Sequence, residues 1–171
     1  MADGSLNIPD FRAAERTFSL ITQVSGRAGR GTKKGEVVIQ AFNPEHYSIQ
    51  AAIAQDYQQF YQKEIQERKQ FGFPPFSRFI KLLIRGQDPI ELRTAIFSLR
   101  DKLMQLKSRE VDILGPAPCP IAKISKNFRW QMILRAPHLQ FSRPLAQVAR
   151  ESLVKEGRLY LEIDVDPVSM M

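Results

Sequence analysis

The chain has 171 residues, 43% of them hydrophobic and 25% charged, a balance that suits one ordinary domain or two small ones with a buried core. Its single cysteine, Cys119, excludes an intrachain disulfide and a multi-cysteine zinc site, and no signal peptide or membrane-length apolar run is present, so a soluble, cytoplasmic protein is expected. The formal net charge of +7 favours an anionic partner, with nucleic acid the commonest and an acidic membrane surface or acidic protein behind it.

Residues 2–10, ADGSLNIPD, read as a loop punctuated by Pro9, with Asp10 as the N-cap of a helix from Phe11. Ala13, Ala14, Phe18, Ile21 and Val24 recur at helical spacing, and Gly26, Gly29 and Gly31 end that helix. GEVVIQAF, residues 35–42, predicts a short and largely buried strand, after which Asn43-Pro44 opens a second helical stretch. Over 45–69, Tyr57, Phe60, Tyr61, Ile65 and the cluster Ala51 to Ala54 form an apolar stripe, which predicts one amphipathic helix or two short ones in series. FGFPPFSR, residues 71–78, interrupts it with a glycine and two prolines, and a domain boundary is placed there. Phe71, Phe73 and Phe76 read as buried hinge residues, with a Pro-rich ligand for an aromatic groove as the alternative.

RFIKLLIRG then reads as a strand, and Leu92, Ala95, Ile96, Leu99, Leu103 and Leu106 give a strong helix. VDILGPAPCPI predicts a short strand running into a Pro-rich loop outside regular structure. FRWQMILRA is another strand, 144–155 is helical, and in RLYLEIDVD the residues Leu159, Leu161, Ile163 and Val165 alternate with Tyr160, Glu162 and Asp164 as in a half-buried strand. The second half therefore predicts β-α-β-β-α-β, a small α+β domain with one sheet and two helices on one face. The expected division is 1–43, a connecting helical segment and hinge at 44–77, and this domain at 78–171.

TQVSGRAGRGTKKG, residues 22–35, packs four glycines and four cations into fourteen residues. Backbone N–H groups freed by glycine, beside Arg27 and Arg30, make an anion site in outline. A helix C-terminus rich in glycine and cations has the same composition with no ligand at all. QVSGRAGR, Gln23 to Arg30, resembles the Q-x-x-G-R-x-G-R motif that closes the superfamily 2 helicases. The preceding ADGSLNIPDFRAAERTFSLITQ resembles the segment before that motif in the bacterial replication-restart helicases, the primosomal replication protein N′ family. GEVVIQAFNPEH, ERKQFGFPPFSR, LGPAPCPI, RWQMILRAP and DVDP are similar to the C-terminal region of that family in order and spacing, so the resemblance covers nearly the whole chain.

The resemblance implies that residues 1–43 are the tail, a helix and a strand, of the second RecA-like helicase lobe. It implies that Gln23, Arg27 and Arg30 reach the γ-phosphate of ATP, with Arg30 as arginine finger and Arg27 beside it. Asp10, Arg12 and Glu15, in the preceding motif, would couple nucleotide state to DNA contact. For the parent it implies an ATP-dependent 3′-to-5′ DNA helicase, using ATP and Mg, that remodels abandoned replication forks and starts primosome assembly. The implied partners are single-stranded and forked DNA, single-stranded-DNA-binding protein and other primosome proteins, in the bacterial cytoplasm at the nucleoid and without a membrane. No Walker A loop occurs, and one cysteine cannot supply the zinc site of the family, which lies upstream. The chain thus reads as a C-terminal fragment without ATPase activity of its own, either an inactive enzyme piece or an independent nucleic-acid- or protein-binding module.

In KISKNFRWQMILR, Lys123, Lys126, Arg129 and Arg135 surround Phe128 and Trp130, which combines phosphate-neutralising cations with aromatic faces that can stack on bases. Strand alternation puts Trp130, Met132 and Leu134 on one face, and the competing reading makes Trp130 core and the cations a solvated rim. The resemblance implies nucleic-acid binding by this domain without assigning contacts. Asp164 and Asp166 share a side of the last strand, as a charged face or as metal ligands. His46 and His138 read as capping or surface residues, and Cys119 as a packed small residue.

Overall fold

A computed structural model describes residues 1–28, 36–153 and 159–170. They form two compact units, Met1–Gly72 and Phe73–Met171.

In the first unit a 3-10 turn, Gly4–Asn7, precedes three helices, α1 (Ala13–Ala28), α2 (Tyr47–Ile53) and α3 (Tyr57–Phe71). Asp10 accepts from Arg12 N through Oδ1 at 2.9 Å, and its carbonyl accepts from Ala13 N at 2.9 Å. The helix consequently begins at Ala13 rather than Phe11. The amphipathic stretch resolves into two helices because it contains two caps: the His46 ring accepts from Ser48 N, and Asp56 Oδ1 accepts from Gln59 N at 2.9 Å. Gly72, left-handed at φ 63°, ends α3.

The core of this unit is Phe18 and Ile21 of α1 against Ile49, Ala51, Ala52 and Phe60, with Phe18 stacked on Phe60 at 4.4 Å. Val24, expected on the same stripe, is instead exposed beside Leu20, and Tyr57 and Tyr61 also face outward. The short α2 and α3 cover the Phe18 side of α1 only, so the apolar residues of the next turns find no partner surface in this unit.

The strand expected at 35–42 is not formed over its described residues. Residues 36–42 carry no ladder, and Val38 is 87% exposed. A β-rich composition makes a strand only beside a sheet edge. Here the run is pinned by single bonds: Ala2 N donates to Gln40 O at 2.8 Å, and Asp3 Oδ2 accepts from Phe42 N and Asn43 N at 2.6 and 2.9 Å.

The second unit follows the order β-α-β-β-α-β: β1 (Arg78–Gly86), α4 (Pro89–Leu106), β2 (Asp112–Ile124), β3 (Asn127–Ala136), α5 (Leu139–Leu153) and β4 (Tyr160–Val165). The strands make one antiparallel sheet in the order β2-β3-β1-β4. Ile84 lies opposite Trp130 on one side and Leu161 on the other, and Leu82 opposite Met132 and Ile163. This register lines one sheet face with apolar residues, which pack on Leu92, Ile96, Leu99 and Leu103 of α4 and Leu145, Ala149 and Leu153 of α5. Asp88 caps α4, accepting from Ile90 N and Glu91 N, with Pro89 in its first turn.

Several expectations for this unit and the hinge before it fail for local reasons. Pro116, Pro118 and Pro120 belong to β2 rather than to a loop. β2 is an edge strand, where an absent N–H need not cost a ladder bond, and the pairing shifts register around the prolines. The last helix starts at Leu139, well before Pro144, because Ser142, Leu145, Ala146 and Ala149 continue one buried face across the proline, whose ring is exposed. Leu106 and Val165, at element ends, are exposed, as are Phe71 and Phe76 of the hinge, which were expected to be buried. Cys119 is buried, as expected of a packed small residue.

Candidate nucleotide and nucleic-acid contacts

α1 presents Gln23 and Arg27 on its exposed side, one turn apart. Arg27 sits in the last turn, where the helix dipole favours a cation. A Cβ built on Gly26 would meet nothing within 4 Å. Arg30, with Gly29 and Gly31, lies outside the described residues.

The other end of α1 is fixed by charge. Arg12 forks onto Glu15, whose Oε2 also accepts from Arg68 Nη2 of α3 at 2.9 Å. Arg68 Nε donates to Glu64 Oε1 at 2.6 Å, and the Tyr47 hydroxyl of α2 donates to the other Glu64 oxygen. The Arg68 guanidinium also lies 5.5 Å over the Phe11 ring. Two guanidinia and two carboxylates thus join all three helices in a partly buried, charge-balanced network. The hydrogen bond from Arg12 holds the Glu15 carboxyl below its usual range, aided by Arg68. Burial works against the Arg68 charge, but its bonds to Glu64 and Glu15 outweigh that and keep it more firmly protonated. Burial, with the bond to Glu64, pushes the Tyr47 hydroxyl up. Asp10 is tied separately, its buried carboxylate 2.9 Å from Arg16 Nη1.

In the second unit the cations gather at the hairpin between β2 and β3. Its turn residues Ser125 and Lys126 both have positive φ, 46° and 72°, the twist a two-residue hairpin wants but one that glycine or asparagine adopts more cheaply. Lys126 is therefore held at the tip by a conformation that costs free energy. Lys123 Nζ lies 4.6 Å over the Phe128 ring, and Arg129 Nη1 donates to Ile121 O at 3.3 Å. Arg129 is opposite Arg85 of β1, whose guanidinium covers the Tyr160 ring at 4.1 Å.

The structure thus places Lys123, Lys126 and Arg129 on one hairpin but divides them between the sheet faces, Lys123 with Phe128 on one and Arg129 on the other beside Arg85, which the sequence hides at the end of a core strand. Arg135 is elsewhere, toward the other end of β3, forked onto Asp112 at 3.1 and 2.8 Å. Trp130 is half-buried, its ring meeting Phe97 of α4 at 5.8 Å. Asp166 accepts from Arg78, whose hydrogen bond lowers its pKa, and Asp164 faces Lys81 Nζ at 3.8 Å. Among the described residues no group of three or more metal-binding side chains occurs, and no helix is long and apolar enough to cross a membrane.

This basic α+β unit is a recognised class of domain: residues 69–168 match the family model described as Primosomal protein N C-terminal domain. The chain belongs to the family of replication restart protein PriA. It is 38% identical to the protein of that name from Synechocystis sp., 39% to that of Treponema pallidum and 35% to that of Bacillus subtilis, in each case over 99% of its length. It spans 20%, 26% and 22% of those relatives. A de novo designed protein, Foldit4, covers 53% of the chain at 13% identity and a TM-score of 0.45, too distant to bear on the fold.

Proposed function

We propose that this chain acts in replication restart as the C-terminal part of an ATP-dependent 3′-to-5′ DNA helicase that recognises and remodels stalled forks and initiates primosome assembly. The names of its relatives support the restart role. In the complete protein Gln23, Arg27 and Arg30 contact the γ-phosphate of ATP. The observation that carries this reading is the placement of Gln23 and Arg27 on one exposed helix face, with no carboxylate paired to Arg27 among the described residues. A free guanidinium there can stabilise charge developing in phosphoryl transfer, worth roughly 10³ to 10⁵ in rate in other NTPases. These side chains fit a phosphate; Mg would be held by other parts of the complete protein, and the chain by itself does not hydrolyse ATP. In the full-length protein Arg30→Ala should lower DNA-stimulated ATP hydrolysis by roughly 10³-fold with ATP binding retained, and Arg27→Ala should lower it less. Normal turnover in both would remove the pair from the mechanism.

The second unit binds single-stranded and forked DNA through the hairpin cations Lys123, Lys126 and Arg129, joined by Arg85. Single-stranded-DNA-binding protein and other primosome components are its further partners. A second reading, a stand-alone nucleic-acid- or protein-binding module, is favoured by the complete core that this unit builds for itself. Binding of labelled single-stranded and forked DNA across a salt titration tests the DNA assignment, and absence of salt-sensitive binding would refute it.

A further inference from the structure

On the helix-covered side of the second unit, α4 and β3 enclose an open cleft of about 610 Å³ lined by Pro89, Ile90, Arg93, Thr94, Phe97 and Trp130. Its size falls within the roughly 300–1,000 Å³ of ligand sites, and its floor is aromatic. Phe97 and Trp130 meet with their planes 67° apart, and neither ring has a parallel partner among the described residues. Ile90 is 76% exposed at the cleft wall.

The rim is cationic. The Arg93 guanidinium lies 5.8 Å over Phe97. Lys123 lies over Phe128, which stands two residues from Trp130 on the same face of β3, so the rim continues into the hairpin. Among the described residues no carboxylate pairs with Arg93, Lys123 or Lys126. Unpaired cations bordering apolar ring surface match a chain that alternates phosphates with flat aromatic groups. A duplex hides those groups in its stack, so the match is to a single strand.

We infer that this cleft is a nucleobase-stacking site, in which one or two unpaired bases of a single strand pack on Trp130 and Phe97 while Arg93 and Lys123 hold the flanking phosphates. The inference rests on the reading that the second unit binds DNA, and gives that reading a base-contacting site beyond the hairpin.

Trp130 is the only tryptophan in the chain, so its fluorescence reports the cleft directly. Titration of the whole chain with oligothymidylate should quench Trp130 emission in parallel with binding followed by anisotropy of the labelled strand. Polyphosphate, which carries charge without bases, should leave the emission unchanged. Ile90→Glu, at a surface position that cannot disrupt the core, should weaken binding about tenfold, as should Phe97→Ala if circular dichroism shows it folded. Arg93→Ala should reduce the salt slope by about one. Strand binding with unaltered Trp130 emission, or unweakened by Ile90→Glu, overturns the cleft and leaves the DNA reading standing; no strand binding at all overturns both. Quenching by an acidic peptide but not by oligothymidylate would also overturn it and assign the cleft to a protein partner.

Discussion

The two units solve the same problem differently. The second closes its own core: α4 and α5 cover one sheet face, and the large side chains Ile80, Leu82, Ile84, Leu92, Ile96, Leu103, Met132 and Leu134 are fully buried. In the first, a small cluster around Phe18, Ile49 and Phe60 is supplemented by an ionic network, while Leu20, Val24, Val38 and Phe42 lie at the surface. Apolar burial is non-directional and grows with area. A guanidinium held by two carboxylates fixes orientation as well. The helix carrying Gln23 and Arg27 is therefore oriented by Arg12, Glu15, Arg68 and Glu64 as well as by its packing.

That contrast can be broken. Trp130 fluorescence reports the second unit alone, whereas far-UV circular dichroism reports both. Ile96→Ala should cost about 2–5 kcal/mol and move the fluorescence transition in denaturant strongly; a shift no larger than that of a surface variant would deny the second unit its self-sufficient core. Arg68→Ala, which leaves Glu64 with the Tyr47 hydroxyl and removes the bond between Glu15 and α3, should cost roughly 2–4 kcal/mol, visible by circular dichroism and absent from the fluorescence transition.

The same network gives the first unit an acid limb. Because the folded pKa of Glu15 is lowered, its contribution is present above the ordinary carboxylate range and is lost as pH falls through the folded value. Melting of the helical signal should hold steady from neutrality and drop below about pH 4, and Arg68→Ala should flatten that drop. The effect is modest, since Glu15 is a third exposed and solvent screens it. Gly115→Ala should cost about 1–3 kcal/mol, measured by the fluorescence transition, since Gly115 has φ +93° and a Cβ there would sit 3.0 Å from Gln131 O. Smallest, Val24→Ser should stay within about 0.5 kcal/mol in the isolated chain, and a larger loss would mean that the exposed face of α1 is covered.

The same difference decides what could be read from sequence. In the second unit each apolar period has its partner within the same hundred residues, so α4, β1, β3 and β4 are legible from spacing alone. In the first, GEVVIQAF carries a strand's composition, but pairing is a property of the neighbour, and no described strand lies beside it. Val24 fits the helical period for the same reason without being buried. The roles of Arg68 and Glu64 are not legible, because nothing in the spacing of α3 reveals a glutamate of α1 opposite. Arg85 and Phe97 escape notice likewise: the first is brought to Arg129 by strand register, and the second to Trp130 by the docking of α4. The cationic character of the hairpin is legible, and so is the alternation that puts Trp130 on the helix side. Arg135 looks equivalent to Arg129 until Asp112 is seen across the strand pair.

β2 carries a consequence for assembly. A sheet with two open edges can recruit a strand from another chain at either one. Pro116, Pro118 and Pro120 leave the β2 edge short of N–H donors along its middle, so an incoming strand there would find too few donors to build a ladder. The prolines thereby guard the β2 edge against strand addition.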